Sequence, residues 1–198
     1  MVLVYIFDLD DTLYTQDTLS DVTIYENDDY IEKYYEQYQL DHKLDILLSK
    51  IDAPKYIMTN ATYEHAYNVL KRLGIMENFK QIFSRDNMLT MKPSIESYNF
   101  VKNAVEKNER LEANELNYIF FDDLKENLKT AKYVNWTTCH INNQFYNDMK
   151  NSKENSQEKQ KDDYYLYTDY SFSSIYIALN YFININDYVM NNINVQYF

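Results

Sequence analysis

Apolar segments that end abruptly in polar residues recur along the chain and predict strands of a parallel sheet. The first, from Val2 to Phe7, is rich in β-branched and aromatic residues and shows no polar alternation. Such a run is typical of a strand buried on both faces, in a sheet that helices cover on each side. The pattern therefore favours an α/β fold. The other predicted strands are Tyr56–Thr59, Gln81–Ser84, Leu116–Phe121 and Trp136–Ile141.

Apolar residues between these strands recur at helical spacing. Tyrosines from Tyr30 to Tyr38, then aliphatic residues from Leu44 to Ile51 after a break near residues 40–42, predict a helical hairpin. A further helix is predicted from a Thr62 cap to Leu73, with Gly74 as its left-handed stop. Other helices are predicted from Ser94, as a cap, to about Lys107, from Asp122 onward, and over Phe172, Ile175, Leu179, Phe182 and Ile183.

Carboxylates follow the first strand directly. Asp8 and Asp10 are two residues apart, and the Thr12 hydroxyl can reach the same place from the next loop. In open α/β sheets, ligands bind at the carboxyl ends of the strands. Two carboxylates there repel each other unless a cation or a shared proton lies between them, and Mg²⁺ is the hard divalent ion that best suits oxygen ligands. The alternative is a polar turn in which Asp and Thr cap backbone groups.

Polar residues also follow other predicted strands. Thr59 and Asn60 end the second strand, where a hydroxyl and an amide can bind phosphate oxygens. Lys92 precedes Pro93, which holds it at the entry to a helix. Asp122 and Asp123 end the fourth strand as Asp8 ends the first. Each has a structural alternative: helix capping for the Thr-Asn and Asp-Asp pairs, and a solvated surface position for the lysine.

These residues, in this order, resemble the four motifs of the haloacid dehalogenase-like (HAD) hydrolases. The segment Asp8-Leu-Asp-Asp-Thr12 resembles the first motif, DxDxT. Thr59 corresponds to the second motif and Lys92, before proline, to the third. The segment Asp122-Asp-Leu-Lys-Glu-Asn127 resembles the DDxxxN form of the fourth. The resemblance covers roughly residues 1–141.

The resemblance implies a three-layer, Rossmann-like parallel sheet with a small helical cap inserted after strand 1. The core domain would comprise residues 1–13 and 53–198, and a reduced C1 cap would comprise residues 14–52. Residues 142–163 are rich in Asn, Lys, Glu, Gln and Ser, a composition that predicts a flexible insertion.

The resemblance also implies a Mg²⁺-dependent phosphomonoester hydrolase that acts through an aspartyl-phosphate. Asp8 would be the nucleophile, Asp10 the general acid and base, and Lys92 the cation that stabilises the transferred phosphoryl group. Thr59, Asn60 and Thr12 would bind the substrate. The metal ligands would come from Asp8, Asp10 through its backbone carbonyl, Asp123 and Asp122, with Asp122 orienting Lys92 or the waters of the ion.

The substrate class rests on a finer resemblance. The phrase from Thr59-Asn-Ala through Leu73-Gly-Ile75 to Phe83 is similar to the pyrimidine 5′-nucleotidase subgroup, which implies a nucleoside 5′-monophosphate or another small phosphorylated metabolite. Asp10 favours a phosphatase over a dehalogenase, because a halide leaves without a proton. Two alternatives are a protein phosphatase with an open site and a catalytically inactive HAD-fold binding protein.

Composition narrows the class of partner. With a net charge of -12 over 198 residues and no basic patch, the chain is not expected to bind nucleic acid. The single cysteine, Cys139, excludes an internal disulfide and is expected in the core. The amino terminus lacks the basic region of a signal peptide, and no stretch approaches the roughly twenty apolar residues of a membrane span, so we expect a cytoplasmic protein without membrane contact. No pattern predicts an oligomeric state.

Overall fold

The computed structural model describes residues 1–15, 35–36, 38–142 and 166–193. They form a sheet of six parallel strands in the order β3-β2-β1-β4-β5-β6. The predicted parallel α/β fold is therefore confirmed. The strands are β1 (Val2–Phe7), β2 (Lys55–Met58), β3 (Gln81–Phe83), β4 (Leu116–Asp122), β5 (Thr137–Ile141) and β6 (Tyr170–Phe172).

Helices connect these strands and begin and end largely where the sequence predicts. Thr62 caps its helix by accepting a hydrogen bond from His65 N at 3.2 Å, and Gly74 ends it in the left-handed region at a φ of 74°. Ser94 precedes its helix as predicted, but its hydroxyl donates to the Glu96 carboxylate and does not accept from the helix backbone. The helices are α1 (His42–Ser49), α2 (Tyr63–Leu73), α3 (Ile95–Glu109), α4 (Lys125–Tyr133) and α5 (Ile175–Ile193).

Strand β6 corrects one prediction. Phe172 belongs to this strand and not to the last helix, which begins at Ile175. The strand pairs with β5 through Cys139 and Tyr170 and through Ile141 and Phe172. It has three residues, lies at the edge of the sheet and is nowhere fully buried, so it carries no apolar run that a sequence pattern could detect.

The two faces of the sheet bury separate apolar clusters, which gives the fold its three layers. Along β1, Tyr5 and Phe7 point to one face, and Val4 and Ile6 point to the other. Helices α1, α2 and α5 cover the first face, whereas α3 and α4 cover the second. Cys139 is buried in the first cluster, as expected for an unreactive core thiol.

About half of the predicted cap over residues 14–52, including most of its first helix, lies outside the described residues. The second helix, α1, begins at the predicted break, where Asp41 accepts a hydrogen bond from Leu44 N at 2.9 Å. Leu44 and Leu48 of α1 are buried in the same cluster as Tyr5 and Phe7. The division into core and cap remains a prediction, as does the insertion over residues 142–163, of which only residue 142 is described.

Candidate active site

The carboxylates after β1 and β4 meet because these two strands are neighbours at the centre of the sheet. Phe7 is in register with Phe121, and Asp8 N donates to Phe121 O at 2.8 Å. Asp8, Asp122 and Asp123 each offer one carboxylate oxygen, and these oxygens lie within 4.8 Å of one another. The carboxyl edge of the sheet thus gathers three acidic groups around one point.

Lys92 lies between two of these carboxylates. Its Nζ is 2.7 Å from Asp8 Oδ1 and 2.7 Å from Asp122 Oδ2. Its backbone is held by Asn60, which accepts from Lys92 N and donates to Lys92 O, each at 2.9 Å. The end of β2 thereby positions the ammonium group through the main chain. The resemblance implies that Asn60 also contacts the phosphate of the substrate, and that contact stays a prediction.

Asp122 is the most constrained carboxylate of the three and is fully buried. Its Oδ1 accepts from Leu124 N at 2.8 Å, and Asn127 Nδ2 donates to both carboxylate oxygens at 2.9 and 3.0 Å. With Lys92 also bound to it, the Asp122 side chain is held by three hydrogen-bonding partners, and its role in orienting Lys92 or the waters of an ion stays a prediction. Sequence reasoning gave Asn127 no role, although the fixed spacing of the DDxxxN segment was a usable signal.

The two threonines of the predicted site differ in their contacts. Thr12 Oγ1 is 3.5 Å from Asp123 Oδ1, so this hydroxyl lies beside the carboxylate cluster. Thr59 is buried, and its Oγ1 accepts from Ala61 N at 3.0 Å, as in a turn after β2. Substrate binding by Thr12 and Thr59 remains a prediction.

The Asp10 side chain lies outside the three-carboxylate cluster, in a separate group of contacts. Its Oδ1 accepts a hydrogen bond from the Tyr14 hydroxyl and lies 3.0 Å from His65 Nε2. Metal binding through the Asp10 backbone carbonyl stays a prediction. Sequence reasoning did not identify Tyr14 or His65. His65 lies three residues after the Thr62 cap, at the sheet edge that carries the site, but no local pattern marks it as a partner of Asp10.

Solved structures share this architecture, whereas no protein-family model and no curated protein matches the sequence. An L-2-haloacid dehalogenase from Xanthobacter autotrophicus superposes with a TM-score of 0.60 at 13% identity, over 91% of this chain and 98% of that one. An uncharacterised protein from Listeria monocytogenes serotype 4b gives 0.59 at 17% identity, over 94% and 99%. The putative HAD-hydrolase YfnB from Bacillus subtilis, bound to magnesium, gives 0.52 at 23% identity, over 81% and 65%.

The chain has the HAD fold.

Burial sets the protonation of the acidic groups at this HAD-fold site. It raises the pKa of Asp8 to about 8, against the lowering effect of Lys92. Burial, together with the charge of Asp122, raises the pKa of Asp123 to about 6. Burial also opposes the charge on Lys92, but the carboxylates of Asp122 and Asp8 outweigh it and raise the lysine pKa. The Lys92 ammonium therefore stays charged, whereas ionisation of Asp8 and Asp123 is disfavoured.

The donor set fits a hard divalent cation. Three carboxylates and one ammonium leave an excess of two negative charges when all are ionised, and a divalent ion would neutralise it. Oxygen ligands alone suit Mg²⁺ or Ca²⁺ better than zinc or copper.

Among the described residues, no helix is long and apolar enough to cross a bilayer.

Mg²⁺ is expected to stabilise this HAD-fold protein, and more strongly at pH 8 than at pH 5. In the unfolded chain Asp8 and Asp123 ionise near 3.8, whereas in the folded metal-free protein their pKa values are about 8 and about 6. The free energy of unfolding therefore falls as pH rises through this window, and a cation that binds the ionised groups restores it. At a hundredfold excess over Kd we expect about 2.7 kcal/mol of stabilisation.

Thermal unfolding with Mg²⁺ and with EDTA, at both pH values, measures this effect. Asp123→Asn is expected to lose most of the Mg²⁺-dependent rise in Tm, whereas the exposed control Glu77→Gln retains it. A rise in Tm that is equal at both pH values, or that survives in Asp123→Asn, would contradict the assignment of the cation to these carboxylates.

Proposed function

We propose that this protein is a Mg²⁺-dependent hydrolase of phosphate monoesters that works through a phosphorylated Asp8. The observation that carries the proposal is the position of Asp8, buried at the end of the central strand and 2.7 Å from Lys92. Two further carboxylates lie within reach of one cation shared with Asp8. A nucleophilic carboxylate, a fixed cation and a metal-binding group are what phosphoryl transfer needs.

In the first half of the proposed reaction, an Asp8 carboxylate oxygen attacks phosphorus. The bond between phosphorus and the ester oxygen breaks, and the departing alkoxide takes a proton from the Asp10 carboxyl group. Lys92 remains charged and stabilises the phosphoryl oxygens, while Asp122 and the Asn60 contacts hold the ammonium in place.

In the second half, water attacks the same phosphorus. Asp10, now a carboxylate, takes a proton from the water as the bond between phosphorus and Asp8 breaks. Inorganic phosphate leaves, and both aspartates return to their starting states. Asp10 therefore acts as the general acid in the first half of the reaction and as the general base in the second.

Mg²⁺ would be held by Asp8, Asp123 and the backbone carbonyl of Asp10, with Asp122 orienting Lys92 or the waters of the ion. When bound, it supplies charge neutralisation between the phosphate and the nucleophile. The carboxylate cluster around Asp8 supports this placement, and YfnB, bound to magnesium, is a fold neighbour.

The proposed substrate is a nucleoside 5′-monophosphate or another small phosphorylated metabolite, cleaved in the cytoplasm. Several fold neighbours are haloacid dehalogenases, and the fold alone does not choose between the two reactions. The placement of Asp10 favours the ester. Its carboxylate is held by Tyr14 and His65, and an alkoxide leaving group needs the proton that a halide does not.

A substrate panel tests the proposed function. The purified protein, with Mg²⁺ or with EDTA, is given p-nitrophenyl phosphate, UMP, CMP, glycerol 3-phosphate, a phosphopeptide and 2-chloropropionate. We expect Mg²⁺-dependent release of phosphate from the small esters and no release of chloride from 2-chloropropionate. Release from the phosphopeptide alone would favour a protein phosphatase, chloride release a dehalogenase, and no release from any compound an inactive binding protein. Each of these three results would overturn the proposal.

A further inference from the structure

A second group of contacts surrounds Asp10, outside the cluster of carboxylates and lysine. His65 lies in the first turn of α2, and its Nε2 is 3.0 Å from Asp10 Oδ1. The side chains of His65 and Asp10 keep only 17% and 30% of their exposure, so the contact is largely shielded from water. A shielded hydrogen bond to a carboxylate holds its orientation more firmly than an exposed one.

The contact with Tyr35 fits a His65 tautomer that carries its proton on Nε2. The Tyr35 hydroxyl lies 3.2 Å from His65 Nδ1, where a phenol can donate to the lone pair of the ring nitrogen. A neutral imidazole that accepts at Nδ1 carries its proton on Nε2 and donates from there. His65 in this tautomer donates to Asp10 Oδ1, which also accepts from the Tyr14 hydroxyl. A carboxyl group that accepts two hydrogen bonds at Oδ1 carries its proton on Oδ2.

The backbone fixes the place of His65. His65 N donates to the Thr62 side chain at 3.2 Å, so the ring projects from a capped helix start directly after β2. The same strand end carries Asn60, whose side chain holds Lys92. One short segment therefore contacts both Lys92 and Asp10.

We propose that His65 is a positioning residue that holds the Asp10 carboxyl group in the orientation needed to protonate the leaving group. This inference rests on the proposed function. As the bond between phosphorus and the ester oxygen breaks, the proton on Asp10 Oδ2 moves to that oxygen, while His65 keeps its own Nε2 proton. His65 touches neither substrate nor metal in this role and acts through Asp10 alone.

Leaving-group dependence tests this role. UMP and glycerol 3-phosphate release primary alkoxides that need a proton, whereas p-nitrophenolate leaves without one. In His65→Phe we expect kcat/KM to fall about tenfold or more on both alkyl esters and by less than about threefold on p-nitrophenyl phosphate. His65→Gln, which places an amide donor near the position of Nε2, is expected to recover most of the loss. Glu64→Ala, an exposed change in the same helical turn, serves as the control.

The outcomes separate this inference from the proposed function. An equal loss on all three esters, no loss, or no recovery in His65→Gln would overturn the positioning role while the proposed function stands. The same holds if the unchanged protein cleaves p-nitrophenyl phosphate but neither alkyl ester. Phosphate release from none of the three by the unchanged protein would overturn the proposed function itself, and this role with it.

Discussion

Replacement of Asp8 by asparagine is expected to abolish phosphate release while the protein stays folded. The amide has nearly the shape of the carboxylate but cannot attack phosphorus, so we expect kcat to fall by about 10⁴-fold or more. The fold is expected to tolerate the change because burial already raises the pKa of Asp8 to about 8, which marks its charged form as unfavourable. Lys92 keeps its second partner, Asp122.

Phosphate release with Mg²⁺, thermal unfolding and intact-protein mass after brief exposure to substrate measure these effects. The unchanged protein is expected to gain the mass of one phosphoryl group, and Asp8→Asn is expected to gain none. Glu77→Gln, an exposed change of the same chemical kind, is expected to behave as the unchanged protein. Residual activity within tenfold in Asp8→Asn, or a phosphoryl group on that variant, would assign the nucleophile to another residue.

Replacement of Lys92 by methionine is expected to damage both stability and activity. The lysine is buried between the carboxylates of Asp8 and Asp122, and its removal leaves them without their shared cation. Breaking a buried ion pair from one side costs about 3–5 kcal/mol in the free energy of unfolding. Loss of a fixed positive charge at the transferred phosphoryl group lowers kcat by about 10²–10³-fold.

Denaturant unfolding in EDTA isolates the first effect, because Mg²⁺ would neutralise part of the buried charge that the loss of the lysine leaves unpaired. We expect the loss of stability to be larger at pH 8 than at pH 5, where more of the Asp8 population is protonated. Lys107→Met, at an exposed position in the last turn of α3, should change the free energy of unfolding by less than about 0.5 kcal/mol. A similar small change in Lys92→Met would mean that the lysine is not paired as described.

The central strands could be predicted from sequence because their apolar side chains are buried on both faces of the sheet. Val4 to Phe7 on β1 and Phe120 and Phe121 on β4 are completely buried, and an uninterrupted apolar run is what two-sided burial requires. The ends of α2 were equally predictable, because Thr62 and Gly74 start and stop the helix through hydrogen bonds to residues nearby in the chain. Strand β6 was not predictable, because pairing with β5 fixes it and its own residues do not.

The candidate site shows the same division between local and distant contacts. The motif residues Asp8, Lys92 and Asp122 could be named from their places after strands and before a proline, and the structure brings them together. His65 could not be named as a partner of Asp10, because the hydrogen bond between them joins residues 55 positions apart. Nothing in the local sequence distinguishes a histidine that faces such a partner from one on an exposed helical turn.

The pairing of β1 with β4 has a consequence for how the protein acquires its chemistry. These strands are distant in the chain and adjacent only in the finished sheet, so a fragment that ends before Leu116 contains Asp8 without its acidic neighbours. Closing so long a loop is slow compared with forming a helix. During refolding, magnesium affinity would therefore appear when β1 pairs with β4. A nascent chain would have no complete site, and no activity, before that step.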